Sequence, residues 1–173
     1  MSFFSKKIAP ALCSACRRVM APCSSTKVRA RQATGSHLLR VEGYSLVDKK
    51  LAAGSTISSS EFPVGSCQWR LNFCPKGSGN PDSVRAYLSM QPEGYFGRET
   101  MAEYKISILD RAGDPAYTGT MGPHRVSGFT SPGIDLVRAK ELSDAVPRLV
   151  DDDGCLNVRC DVTTLQMEGD DSS

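Results

Sequence analysis

The sequence predicts an all-β protein, an antiparallel β-sandwich of seven to eight strands with one short helix. Three observations carry that reading. Short runs in which apolar and polar residues alternate recur between His37 and Thr164, the period-two signature of half-buried strands. Turn formers separate the runs at regular intervals. Only Val137–Val146, ahead of Pro147, reads as a helix.

The elements follow in order. His37–Val41 is the first expected strand, and Ser55–Phe62, rich in Ser and Thr, is a second that suits a sheet edge. The third, Cys67–Phe73, is the clearest. Cys67, Trp69, Leu71 and Phe73 alternate with Gln68, Arg70 and Asn72, with Pro63 and Gly65 before the run and Pro75 and Gly77 after it. Trp69, the one Trp of the chain, sits mid-strand and faces inward. It is expected between the sheets, beside some of Leu71, Phe73, Ile106, Ile108 and Val158. In the fourth strand, Val84–Met90, the residues Val84, Ala86, Leu88 and Met90 share one side. In the fifth, Ala102–Leu109, Ala102, Tyr104, Ile106 and Ile108 do the same. Asp110 to Pro115 reads as a hairpin turn. A sixth strand starts near Tyr117, a seventh covers Arg125–Thr130, and Leu156–Thr164 is the last.

The chain of 173 residues suits one domain plus tails. Its net charge of +2 hides an asymmetry. Residues 1–41 carry eight Lys/Arg and no acid, while the remainder carries 13 basic and 19 acidic groups. Residues 1–32 are therefore expected to be a disordered basic leader, residues 33–166 the folded domain, and residues 167–173 an acidic frayed tail. The leader's basic, Ser-containing composition also fits an organelle transit peptide. A weakly acidic domain is a poor nucleic-acid platform, and no apolar run approaches the ~20 residues of a membrane helix. Seven cysteines cannot all pair within the chain. With no long apolar signal segment, this implies free thiols in a reducing compartment, the cytoplasm or nucleus.

Candidate chemistry is sparse. A nucleophilic site needs a His held by an acid beside a nucleophile, and nothing places His37 or His124 in such a set. Cys13 and Cys16 form a C-x-x-C pair. With Cys23 and His37 they could formally make a four-ligand zinc site, but thiols in an unfolded leader are the favoured reading. Asp151-Asp152-Asp153-Gly154 lacks the calcium-loop spacing and reads as a solvated turn. Lys76-Gly77-Ser78-Gly79 lacks the order of a phosphate loop and reads as a hairpin. No cofactor is expected.

Taken together, the segments resemble a MATH domain (meprin and TRAF-C homology), most closely the version in plant MATH-BTB proteins. Ala33 to His37 with Gly43-Tyr44-Ser45 looks like the opening of that version. Ile57 to Gly65, then Trp69 and Pro75-Lys76-Gly77, looks like its second and third strands. Tyr87-Leu88-Ser89, Tyr104 to Asp110 with Gly113, and Val158 to Thr163 match the elements that follow. The resemblance covers about residues 33–165. It implies a TRAF-C-like sandwich of eight antiparallel strands. It also implies a protein-recognition function, in which an extended Ser/Thr-rich segment lies across a shallow groove. In full-length relatives a BTB domain follows and couples the bound protein to a cullin ligase for ubiquitination.

The resemblance also implies a groove: Tyr104 matches an aromatic wall, Asn72 a polar position, His124 falls near an aromatic one, and Gln91 stands where some animal relatives place Tyr. Tyr87 and Ile134 complete the set. The sequence departs from the family in two places. Eleven residues follow Val162, too few for a BTB domain. The Trp-Gly-Phe segment before the helix is replaced by Ser131-Pro132-Gly133-Ile134-Asp135. Two readings follow from the resemblance. One is a stand-alone peptide-recognition module, which could compete with full-length MATH-BTB relatives for their clients. The other is a degenerate remnant whose groove no longer binds. A thiol- or metal-dependent activity of the Cys-containing leader is the third, non-family alternative.

Overall fold

A computed structural model describes residues 26–77, 79–91, 99–127 and 132–169. Contacts divide the chain into two units, residues 31–166 and residues 1–30 with 167–173. In the second unit the described residues include the outer ends of two strands, β1 (Val28–Val41) and β8 (Leu156–Gly169). Between them in the chain lie α1 (Tyr44–Lys50), β2 (Ile57–Val64), β3 (Cys67–Cys74), β4 (Ser83–Gln91), β5 (Glu99–Leu109), β6 (Pro115–Ser127), β7 (Ile134–Arg138) and α2 (Ala139–Leu149). The strands form two four-stranded sheets, ordered β1-β8-β5-β6 and β2-β3-β4-β7. Every pairing with a described register is antiparallel. The expected antiparallel sandwich is the fold observed.

Alternation builds the core. Ala102, Tyr104, Ile106 and Ile108 of β5 are buried, and so are Leu156, Val158, Cys160 and Val162 of β8. Their neighbours Met101, Glu103 and Lys105 face water. Trp69 is fully buried, in one apolar cluster with Leu71, Phe73, Ile106, Ile108 and Val158. It pairs across the sheet with Phe62 on one side and Met90 on the other.

Four departures from the sequence reading have physical causes. The first strand begins at Val28 rather than His37. A second helix, α1, follows Gly43, whose φ of 62° is left-handed and favours Gly. At seven residues it is below the length at which propensity alone makes a helix. Buried Tyr44 anchors it, and Lys76 Nζ donates to the carbonyls of Asp48 and Leu51 at its end.

The described parts of the sixth and seventh expected strands are one continuous strand, β6, and residues 128–130 lie outside the described residues. Gly119, Gly122 and Pro123 lie within it, and an edge strand tolerates Pro. Gly119 is required by packing, since a Cβ there would lie 2.1 Å from Ile134 Cγ2. Finally, Val137 belongs to β7 and the helix runs through Pro147 to Leu149. The guanidinium of Arg111 donates to the carbonyls of Pro147 (3.3 Å) and Val150 (3.1 Å). Leu149 is fully buried, so packing and capping together outweigh the proline.

Candidate functional site

The six candidate residues fall into two groups. Tyr104, on β5, points between the sheets and is 3% exposed. Its ring meets that of His124 edge-on, with centroids 5.6 Å apart and planes at 68°, the arrangement aromatic quadrupoles favour. His124 is placed there by its register opposite Ala102, whose side chain is inward. Tyr104 Oη donates to the Pro132 carbonyl at 2.5 Å. Ile134 opens β7 opposite Ala86 and is also buried. The close approach of Gly119 to Ile134 brings β6 against β7, the edge strands of their respective sheets.

The electrostatics of His124 are specific. Its Nδ1 lies 3.1 Å from the Gly122 carbonyl. A carbonyl only accepts, so Nδ1 carries the proton and donates. In the neutral ring Nε2 is then an acceptor, buried and without a hydrogen-bond partner among the described residues. Sequence reading could place His124 near the site but could not assign its tautomer, which depends on a backbone carbonyl two residues away.

Asn72, Tyr87 and Gln91 lie on the outward face of the other sheet. The registers Asn72↔Tyr87 and Gln68↔Gln91 put them in line with Arg70 and Ser89. Asn72 is 6% exposed, and its amide is already used. Its Oδ1 accepts from Ser58 Oγ at 2.8 Å, and its Nδ2 donates to Ser89 Oγ at 3.0 Å. Asn72 therefore ties β2, β3 and β4 together across that face. Ser58 and Ser89 become its partners through the cross-strand registers Ser58↔Asn72 and Arg70↔Ser89, which no local run of residues specifies. On the same face Arg70 and Glu61 pair at 2.8 Å, and Arg85 and Asp135 at 3.4 Å. Tyr87 and Gln91 are half-buried. Ser131 lies outside the described residues.

The remaining chemistry-bearing residues have structural employment. His37 stacks on Phe62 with ring centroids 4.3 Å apart, and burial lowers its pKa. Asp151 accepts from Asn157 Nδ2 and from the backbone N–H groups of Asp153 and Cys155. It also faces Arg40 at 3.2 Å. These partners, the Asn157 bond first, hold its carboxyl below the usual range. The acidic triplet is thus an organised turn that launches β8. Cys67, Cys74, Cys155 and Cys160 are free and buried, and burial pushes the Cys160 thiol up to about 12. Cys13, Cys16 and Cys23 lie outside the described residues. Among the described residues, no group of three or more His, Cys, Asp or Glu is placed to hold a metal. Among them, too, no helix is long and apolar enough to cross a membrane.

Comparison with known proteins agrees with this architecture. The family model for the MATH domain matches residues 36–162. BTB/POZ and MATH domain-containing protein 5 of Arabidopsis thaliana is 31% identical over 121 residues, 68% of this chain and 27% of that protein. Protein 4 of the same series is 35% identical over 94 residues, 53% of this chain and 20% of the relative. Protein 6 is 30% identical over 119 residues, 68% of this chain and 26% of the relative. The chain thus spans less than a third of the length of these relatives. The chain belongs to the MATH domain family, whose members are protein-interaction modules and not enzymes.

Proposed function

We propose that this domain recognises an extended, uncharged Ser/Thr-rich segment of a partner protein, at the side of the sandwich where β6 meets β7. The observation that carries the reading is the Tyr104–His124 edge-on pair between the two sheet edges. Aromatic rings supply large, stiff contact area. A free strand edge supplies main-chain hydrogen bonds to an extended ligand. His124 Nε2, an acceptor without a partner among the described residues, suits a ligand hydroxyl or N–H. Gln91 and Tyr87 would flank the bound segment from the outward face of β4.

A neutral hydrogen bond contributes only about 0.5–1.5 kcal/mol net. With few aromatic anchors, the dissociation constant would be micromolar to millimolar, roughly 4–8 kcal/mol. Titration of isotope-labelled protein with uncharged Ser/Thr-rich peptides tests this. Saturable amide shifts at Gln91, Tyr104 and His124 are expected, and Tyr104→Ala should abolish them. Silence across the panel would refute the reading.

Such silence would favour a second reading, a domain that keeps the fold without the groove. The low exposure of Tyr104 and the internal bonding of Asn72 speak for it. If the module binds, its partners include clients of full-length MATH-BTB relatives, for which it would compete. The buried free thiols fit a reducing compartment such as the cytoplasm or nucleus.

A further inference from the structure

We propose that the solvent face of the β8–β5–β6 ladder is a second recognition surface. It takes an extended protein segment that carries a Lys or Arg two positions from an apolar residue. This face lies on the other side of β5 from the Tyr104 ring, although Tyr104 and Gly122 also line its larger cleft.

The surface is made by a bulge. Ala102 pairs with His124 and Tyr104 with Met121, so Glu103 alone faces both Gly122 and Pro123 of β6. Bulges twist a strand locally and re-aim its side chains. Two clefts result, of about 290 Å³ and about 200 Å³, and Glu103 and Thr163 line both. The smaller is below, and the larger at, the ~300 Å³ at which small-molecule sites begin, a size that also suits single side chains of a partner. Met101, Pro123 and Leu165 line the smaller cleft. Met101 and Leu165 face each other across the ladder and are 37% and 43% exposed.

Charge decides the occupant. Three carboxylate or ammonium groups share the larger cleft, Glu103, Lys105 and Asp161. Asp161 is engaged, by Ser36 Oγ at 2.5 Å, Arg159 at 2.8 Å and Lys105 at 3.9 Å. Glu103 has no hydrogen bond or ion pair among the described residues. Among the described residues it is the uncompensated charge of the larger cleft, and it lines both clefts. A cation arriving there displaces no internal partner. Lys105, next along the same face, repels that cation from its own end. The ligand's apolar residue must then lie toward Met101, Pro123 and Leu165. Outward side chains on a strand recur every second residue, about 6.5–7 Å apart. An extended ligand has the same period, which fixes the two-position spacing.

The test uses the full isotope-labelled chain and short acetylated, amidated Ser/Thr peptides. The probe carries Leu and Arg two positions apart. Controls replace Arg by Glu, place Leu and Arg adjacent, or omit both. The probe should give saturable shifts at Met101, Glu103, Thr163 and Leu165, and the controls weaker or none. Glu103→Lys should weaken the probe about tenfold and favour the Glu-bearing peptide instead. Glu103→Gln should weaken it by a smaller factor. Glu103 is exposed, and an unchanged Trp69 emission would show that both variants fold. Absence of saturation, shifts confined to Gln91 and His124, or an affinity indifferent to Glu103 would each overturn the proposal. The peptide without Leu and Arg reports on the Tyr104 site alone, so the two readings fail separately.

Discussion

Replacing Trp69 with alanine probes the packing on which the whole sandwich depends. Its side chain is fully buried in the centre of β3, flanked in register by Phe62 and Met90. Burying an aromatic of this size removes roughly 150–250 Å² from water, about 4–6 kcal/mol at ~25 cal/mol per Å². Truncations of buried Trp and Phe cost about 3–5 kcal/mol, so a loss of about 4 kcal/mol is expected. The indole N–H adds little, because its bond to the Val64 carbonyl is long at 3.4 Å. A small domain holds only ~5–15 kcal/mol in total. With a urea slope of ~1–3 kcal/mol per molar, the midpoint should fall by about 2 M. Urea unfolding followed by far-ultraviolet circular dichroism measures this in both proteins. Trp69→Phe, which keeps a ring, should recover most of the loss. A midpoint shift below about 0.5 M, or red-shifted, quencher-accessible emission from native Trp69, would refute the reasoning.

Further expectations concern α2, the β6–β7 contact and pH. Arg111→Ala should cost about 1–2 kcal/mol, because the guanidinium donates to two carbonyls at the end of α2; faster amide exchange at Val146 and Val150 would report it. Gly119→Ala should destabilise by about 1–3 kcal/mol, since its Cβ would overlap Ile134, and thermal unfolding would show the loss. The Asp151 carboxyl is held low, chiefly by Asn157, so its contribution is present above the unfolded value near ~3.9 and fades as pH falls through its folded value. Unfolding midpoints of wild type and Asp151→Asn, measured from neutral pH downward, should therefore converge below about pH 4.

The two proposed recognition surfaces make opposite use of β5. Its inward row supplies Tyr104 to the β6–β7 side, and its outward row supplies Glu103 to the bulge. A strand with period two presents the two rows to opposite faces, and Tyr104 and Gly122 also line the larger outward cleft. Asn72 is poorly suited to meet a ligand for a separate reason. Its amide is consumed in joining three strands of the other sheet.

Sequence alone determined the strands whose alternation is strong and local. Cys67–Phe73, Ala102–Leu109 and Leu156–Thr164 each bury every second residue, and that pattern is written in the chain without help from distant partners. It also determined that Trp69 would be internal. Tertiary structure decided what depends on residues far apart in the chain. Helix α1 exists because Tyr44 is buried and Lys76 caps its end. Strand β6 continues through Gly119 and Pro123 because an edge and a close neighbour at Ile134 make those residues compatible with a strand. Helix α2 outlasts Pro147 because Arg111 reaches its carbonyls from another loop. The tautomer of His124, the engagement of Asn72 and the isolation of Glu103 are likewise pairwise facts. They arise when strand register brings particular atoms within reach, and register is set by the fold rather than by any local run of residues.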